Sequence, residues 1–259
     1  ENKCAAANDI IEPSEFLQRN FGCCFDRARF IEKASRYFGF ETRHIFLIQP
    51  YQEVFLFTNT NKEGRYGPDQ SELDQAYEGT NLDGQVSSTD GIQYWVVPES
   101  KTYTIETYGA GAAISSYSNH RYEERAKGAV MSGEFDLTEG DTLKILVGQS
   151  SEENYYGTGG AGGTFVTYLD DTPLIIAGGS GGNSENDNYF EQSHGSIGEN
   201  GVTGYSNGGT EGFGGDGSGN AGGGSGLLGD GSGNWYGYAY VNGGYGGDGD
   251  SDGGFGGGG

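Results

Sequence analysis

Three aspartates near the end of the chain are the residues whose type and spacing best fit a chemical role. Asp248, Asp250 and Asp252 alternate with small residues and are followed by Gly253. Alternating carboxylates before a glycine form the first half of a calcium loop, because their oxygens converge on one hard cation. The bidentate acid expected at the twelfth position is absent, since Gly259 stands there. Two interpretations stay open: a calcium site, or acidic residues that keep a glycine-rich segment in solution.

Other motifs with catalytic potential are weak. His44, His120 and His194 are scattered, and none is spaced with another His, Cys or carboxylate as metal ligands are. The segment GTGGAGG at 157–163 has the spacing of a phosphate-binding loop, but it precedes a strand rather than a helix. No serine stands in a nucleophile-elbow motif. We therefore predict that the chain is not an enzyme and uses no cofactor other than the calcium considered above.

An aromatic cluster, NWYGYAYVNGGY at 234–245, is the second candidate site. Exposed rings of this kind bind proteins or glycans, since they combine a large apolar face with a polar group. The alternative is that alternate residues of the cluster cover the glycine-rich segments. The predicted binding patch consists of Trp235, Tyr236, Tyr238, Tyr240 and Tyr245.

Charge and cysteine content restrict the partners and the compartment. The net charge is -23, and no Lys or Arg follows Lys144, so binding to nucleic acid or to an anionic membrane is not expected. No run approaches the roughly 20 apolar residues of a membrane span.

The chain has the cysteines Cys4, Cys23 and Cys24. A bond between the neighbours Cys23 and Cys24 would be strained, so Cys4 is predicted to bond one of that pair. The remaining thiol is either buried or links chains in an oxidising compartment.

The elements that position these residues differ between the two ends of the chain. Residues 13–38 place apolar side chains at steps of three and four, which predicts a helix. HIFLIQP at 44–50 and EVFLFT at 53–58 are short strand-like runs. Because Ile45 to Ile48 are apolar on both faces, this run must be covered by its own chain or by another. Residues 1–52 are therefore predicted as an N-terminal module, which either packs on the rest of the chain or acts as an assembly arm through Phe21, Phe25, Ile45, Phe46, Leu47 and Ile48.

Residues 91–179 contain short runs of apolar or alternating residues that are separated by Gly, Asp and Pro. This pattern predicts an all-β sandwich. Glycine supplies 52 of the 259 residues and dominates the segments beyond 145. Such segments are usually flexible, but aromatic residues persist through them, and disordered tracts lack aromatics. An ordered alternative is the extended polyproline-II type of chain, in which only glycine fits where chains pack together.

Five motifs follow one another between 53 and 182: GIQYWVVP, TYTIETYGAGA, GEFDLTEGDTLKILVGQ, GTGGAGGTFVTY and PLIIAGGSGG. This order of motifs resembles the glycine-rich extracellular domain of the anaplastic lymphoma kinase and leukocyte tyrosine kinase receptors. The same order of motifs is even more similar to that of stand-alone secreted proteins that share this domain. The resemblance implies that 53–259 form a tumour-necrosis-factor-like β-sandwich with an inserted bundle of polyglycine-II helices. AISSYSNHRYEER at 113–125 departs from the family, which continues there in glycine.

Three functions follow as expectations, all of them extracellular or at the cell surface. The first is a secreted structural protein that assembles with itself into a filament, sheath or surface coat. If strand addition drives that assembly, deleting 1–52 is expected to leave a soluble monomer. The second is an adhesin or receptor-binding module that contacts extracellular proteins or glycans through glycine loops and the aromatic patch. The third is a signalling ectodomain.

Overall fold

The chain divides into two compact units, Glu1–Glu41 and Thr42–Gly259. Residues 42–52, which the sequence assigned to the N-terminal module, fall in the second unit. The predicted helix over 13–38, with Phe21 and Phe25, and the three cysteines lie outside the described residues. The computed structural model describes the backbone of 45–48 and residues 53–113, 126–154, 157–182, 192–203, 206–217 and 222–259.

The described part of the second unit is mainly β, as predicted, and all of its strand pairings are antiparallel. Within the described residues, an α-helix and a 3-10 helix at Tyr240–Asn242 accompany the strands. The elements are β1 (Ile45–Ile48), β2 (Val54–Phe57), α1 (Gln70–Tyr77), β3 (Val86–Thr89), β4 (Ile92–Val96), β5 (Lys101–Tyr108), β6 (Val130–Leu137), β7 (Thr142–Leu146), β8 (Thr164–Tyr168) and β9 (Pro173–Ala177).

The strands form two sheets. Sheet A has the order β2-β1-β5-β6, and sheet B has the order β3-β4-β7-β8-β9. Each strand-like run singled out in the sequence, from HIFLIQP to PLIIAGG, overlaps one of these strands or two separated by a turn. The TEGD segment at 138–141 separates β6 from β7, because its glycine and acidic residues favour a turn over a continued strand.

Strand β1 is an inner strand of sheet A. It pairs with β2 on one side and β5 on the other, which places Leu47 opposite both Phe55 and Ile105 in register. Phe55 and Ile105 are buried. Both edges of this apolar run are therefore paired with strands of the same chain.

The main core lies between the two sheets and is centred on Trp95 of β4. The ring of Trp95 is 4.8 Å from Phe55 and 5.8 Å from Phe57, both on β2, and 6.2 Å from Tyr103 on β5. These edge and tilted contacts are the favourable arrangement for aromatic pairs. Sheet A and sheet B are therefore joined by a continuous layer of buried rings.

Helix α1 was not predicted from the sequence. Asp69 caps its N-terminus by accepting a hydrogen bond from the backbone N–H of Glu72, and the Glu72 side chain reciprocates in a capping box. Leu73 and Tyr77, four residues apart on one face, are buried in the main core. The Tyr77 hydroxyl accepts a hydrogen bond from the Thr58 N–H at 3.0 Å and donates one to Gln93 Oε1 at 2.6 Å. The helix is thereby fixed to β4 and to the end of β2.

A second core covers the outer face of sheet B with residues of the glycine-rich segment. Tyr240 stacks on Phe165 of β8 at 5.1 Å, and its hydroxyl shares a hydrogen bond with Thr167 Oγ1 at 2.8 Å. Phe255 is fully buried in the same cluster, beside Leu146 of β7. The C-terminal glycine-rich segment is therefore part of the folded unit and contributes its own core residues.

The glycine-rich segments hydrogen-bond to one another outside the two sheets. Gly254 N–H donates to the Gly160 carbonyl at 2.9 Å, and Gly237 N–H donates to the Gly223 carbonyl at 3.0 Å. The segments approach so closely that a Cβ on Gly162 would overlap the carbonyl oxygen of Phe255. Glycine is therefore required at such positions because two backbones occupy the space of a side chain.

Candidate functional site

Four tyrosines form a continuous aromatic row on the surface, which we call the tyrosine ridge: Tyr66, Tyr236, Tyr238 and Tyr245. The ring centroids of Tyr236 and Tyr238 are 5.3 Å apart, those of Tyr238 and Tyr245 are 6.2 Å apart, and those of Tyr245 and Tyr66 are 5.7 Å apart. Tyr66 is 56% exposed, and the other three are half-buried. Each ring is thus supported by its neighbour and still accessible on one side.

A tight turn brings Tyr245 back beside Tyr238. The chain reverses through the 3-10 helix and through Gly243 and Gly244, whose φ angles of 102° and 67° lie in the left-handed region that glycine adopts without strain. After the turn, the Tyr238 N–H donates to the Tyr245 carbonyl at 2.8 Å. The Ser225 hydroxyl donates to the Tyr238 carbonyl at 2.7 Å. The central pair of the ridge is therefore fixed by backbone hydrogen bonds.

Tyr66 comes from a distant part of the sequence, between β2 and α1. The Gln149 amide donates to the carbonyls of Gly64 and Tyr66, both at 2.9 Å, and the Phe255 N–H donates to the Gly64 carbonyl at 2.7 Å. Gln149 is fully buried, so these bonds are shielded from water. The loop that carries Tyr66 is thereby attached to the same glycine-rich segment that carries the other ridge residues.

An arginine and an aspartate flank the exposed end of the ridge. The Arg65 guanidinium carbon lies 5.1 Å from the Tyr66 ring centroid, a cation–π contact. Arg65 Nη1 pairs with Asp248 Oδ2 at 2.5 Å, and the side chain of Arg65 is only 13% exposed. Burial alone would lower the pKa of Arg65, but its hydrogen bond to Asp248 and the charge of Asp248 raise it above its usual value.

The ridge coincides only in part with the patch predicted from the sequence. Tyr236, Tyr238 and Tyr245 are members of the ridge, whereas Tyr240 is 1% exposed and belongs to the second core. Burial raises the pKa of Tyr240, because the phenolate would lack water. Trp235 is 42% exposed on a neighbouring turn, where its indole lies alongside Gly249.

The three aspartates of the predicted calcium loop do not converge. Asp248 is paired with Arg65, and Asp252 Oδ1 accepts a hydrogen bond from the Gly249 N–H at 3.3 Å. The backbone carbonyl of Asp250 accepts a bond from the Asn154 amide at 2.5 Å. Within the described residues, which include all three aspartates, no group of three or more His, Cys, Asp or Glu side chains is placed to hold a metal ion. Calcium binding stays a prediction that this arrangement does not favour.

A cavity of about 800 Å³ lies between the glycine-rich segments. Its walls are largely glycine backbone, with Phe213 and Leu228 among the apolar side chains that line it. Phe213 is 58% exposed and Leu228 is 51% exposed. The cavity is formed by glycine-rich loops, but it lacks the row of mutually supported rings found on the ridge.

Sequence reasoning missed Tyr66, Arg65 and Gln149. A local pattern cannot connect Tyr66 with Tyr245, because their contact depends on the path of the chain between them. The signal available was the dipeptide Arg65-Tyr66 between Gly64 and Gly67, an exposed aromatic in a loop bounded by glycines. The other ridge residues were found because they are clustered in the sequence.

No protein-family model matches the chain. Part of the chain is similar to the leukocyte tyrosine kinase receptor of Mus musculus, with 34% identity over 102 residues. That match covers 38% of this chain and 11% of the receptor, so the chain spans only a small part of the relative's length. The similarity points to one of the receptors whose glycine-rich extracellular domain the sequence resembles. Within the described part of the chain, no helix has both the length and the apolar character needed to cross a membrane.

Proposed function

We propose that this chain is a non-enzymatic extracellular module that binds another macromolecule through the tyrosine ridge. The observation that carries the proposal is the row of four tyrosine rings in successive contact at the surface. Tyr66, at one end of the row, is 56% exposed. Contiguous exposed aromatic surface in a soluble domain marks binding sites, and aromatic anchors supply much of the energy of protein interfaces.

The support beneath the ridge favours binding without a large entropy cost. Tyr238 and Tyr245 are joined through their backbones, and Tyr245 rests against the buried Phe255 with the ring centroids 6.4 Å apart. Rings that are already ordered lose little conformational freedom when a partner arrives. The acidic character of the chain beyond Lys144 favours neutral or cationic partners over anionic ones.

The extracellular location and the finer fold are parts of the same proposal. The partial similarity to a receptor tyrosine kinase supports a place outside the cell or at its surface, and also supports a signalling ectodomain as a third function. The lateral hydrogen bonds between glycine-rich segments support a polyglycine-II bundle. Two antiparallel sheets around a shared aromatic core support a tumour-necrosis-factor-like sandwich.

A binding array with matched variants tests the ridge. The full chain is applied to immobilised neutral glycans and purified extracellular proteins, together with the double variant Tyr66→Ser/Tyr238→Ser. The control is Leu169→Ser, which replaces an apolar side chain that is 59% exposed outside the ridge. The double variant is expected to lose at least about tenfold in affinity, equivalent to about 1.4 kcal/mol, whereas the control binds like the wild type. Equal binding by all three proteins would refute the ridge as the contact surface.

Self-assembly is a second candidate, and the order of strands in sheet A supports it. Strand β1 is the first strand of the second unit and lies between β2 and β5. The same strand from a second copy would offer identical pairing to that position, which is the basis of strand exchange. The net charge of -23 opposes association, so assembly should be favoured by salt, which screens the repulsion.

The position of β1 changes the deletion test for self-assembly. Removing 1–52 takes away an inner strand, so the expected product is an unstable or aggregated chain instead of a soluble monomer. A synthetic peptide of residues 42–52 should then restore a soluble fold by pairing with β2 and β5. For the intact chain, light scattering and electron microscopy should show regular polymers at raised salt. Monodisperse monomers under all salt conditions would rule out this candidate.

A further inference from the structure

We propose that the tyrosine ridge is a site of oxidative cross-linking, at which a haem peroxidase and hydrogen peroxide couple tyrosine rings through carbon–carbon bonds. Tyr236 and Tyr238 form the bond within one chain, and Tyr66 forms the bond to Tyr66 of a second copy. The inference goes beyond the proposed binding function, because it requires an oxidant and gives a covalent product.

The geometry of Tyr236 and Tyr238 carries the first bond. The two residues flank Gly237, and the centroids of their half-buried rings are 5.3 Å apart with the planes tilted by 42°. Their rings are therefore already neighbours, and rotation of the side chains is sufficient to bring the ring carbons next to the oxygens together.

The continuity of the row provides a path for the radical. Tyr238 contacts Tyr245, and Tyr245 contacts Tyr66, with centroid distances of 6.2 and 5.7 Å. A radical formed at any ridge ring can exchange an electron with the next ring, since adjacent rings are in contact. The half-buried members are thus connected to Tyr66, which is the member that a large partner reaches most easily.

Three of the other described tyrosines are enclosed in the core. Tyr77 and Tyr240 are buried, and their hydroxyls are held in hydrogen bonds with Gln93 and Thr167. Tyr103 is also fully buried, and its hydroxyl donates to the Glu99 carbonyl. A ring enclosed in the core cannot meet a ring from another molecule. Among the tyrosines that the structure describes, coupling should therefore favour the ridge over these three buried rings.

The reaction balances with one peroxide per bond. Each of two phenols loses one electron and its phenolic proton, and a bond forms between one ring carbon next to the oxygen in each radical. The hydrogens on those two carbons then move to the oxygens, which restores both aromatic rings. Hydrogen peroxide, through the peroxidase, accepts the two electrons and two protons and becomes two water molecules.

The experiment treats the full chain with peroxidase and hydrogen peroxide and maps the products by peptide mass spectrometry. The variants are Tyr236→Phe and Tyr66→Phe, which keep the ring and remove only the phenol, and the control is Tyr168→Phe, a half-buried tyrosine of β8. Thermal melting confirms that each variant folds like the wild type. Free N-acetyltyrosine in a parallel reaction confirms that the oxidant is active.

The wild type and Tyr168→Phe are expected to give a peptide in which 236 and 238 are joined with loss of two hydrogen atoms. Tyr236→Phe should lose this product, and Tyr66→Phe should keep it while losing the covalent dimer. Products spread evenly over the tyrosines, or a dimer that persists in Tyr66→Phe, would overturn the proposal. No coupling of the protein while N-acetyltyrosine couples would also overturn it. Binding on the array is measured without oxidant, so failure of one proposal leaves the other standing.

Discussion

Replacing Phe255 with alanine should destabilise the second unit strongly, although the residue lies in a segment composed mostly of glycine. Phe255 is fully buried, and its ring lies against the backbones of Gly67 and Gly91, where an added Cβ would come within 2.5 and 2.9 Å of ring carbons. Neither glycine has a side chain that could move to fill the space left by the ring. The loss of a buried phenylalanine costs about 3–5 kcal/mol, and a site walled partly by fixed backbone collapses less than one lined by side chains alone.

Urea unfolding followed by the fluorescence of Trp95 and Trp235 and by circular dichroism measures this cost. Phe213→Ala is the matched control, because Phe213 is a phenylalanine of the same glycine-rich region that is 58% exposed. The control should change the free energy of unfolding by about 1 kcal/mol or less. If Phe255→Ala cost no more than this control, the C-terminal segment could not be a packed part of the fold, and the account of the second core would be refuted.

Three further predictions follow from other contacts. Tyr77→Phe should lower stability by about 1–3 kcal/mol, because it leaves the buried partners of the hydroxyl unsatisfied. Burial raises the pKa of Tyr77 to about 12; the unfolded chain therefore ionises first, and stability should fall as pH rises from about 10. Alkaline denaturation should show a smaller fall in Tyr77→Phe, and an unchanged profile would contradict this assignment. Gly162→Ala should destabilise the protein in thermal melts, because the new Cβ meets the Phe255 carbonyl; a wild-type melting temperature would argue against the close backbone contact. Added calcium should leave the melting temperature unchanged, because the aspartates of the 248–252 loop do not converge; a calcium-dependent rise that Asp250→Asn removes would reverse that conclusion.

Much of the sandwich was predictable from local sequence. Apolar runs separated by Gly, Asp and Pro marked β4 to β9, because both the alternation and the turn residues act over a few positions. Helix α1 was missed even though Asp69 and Glu72 form a recognisable capping box, since its short apolar face contains only Leu73 and Tyr77. The place of β1 between β2 and β5 could not be read from the sequence, because strand order depends on contacts between distant segments.

The candidate site was likewise predictable only where its residues are close together in the sequence. Clustering in the sequence identified Tyr236, Tyr238 and Tyr245, but it also included Tyr240, which is buried against Phe165. Whether an aromatic residue faces water or a sheet is decided by the path of the backbone around it. Tyr66 joins the ridge only because buried hydrogen bonds attach its loop to the glycine-rich segment.

The most direct test of the central claim, that a folded glycine-rich scaffold holds the tyrosine ridge, is amide hydrogen exchange across residues 222–259. The N–H groups of Gly237, Gly254 and Phe255 donate to the carbonyls of Gly223, Gly160 and Gly64. The account predicts that these amides exchange at least about 100-fold more slowly than in an unstructured peptide, since exchange then requires opening of the packed segment. Exchange at the rate of an unstructured chain throughout 222–259 would contradict the claim.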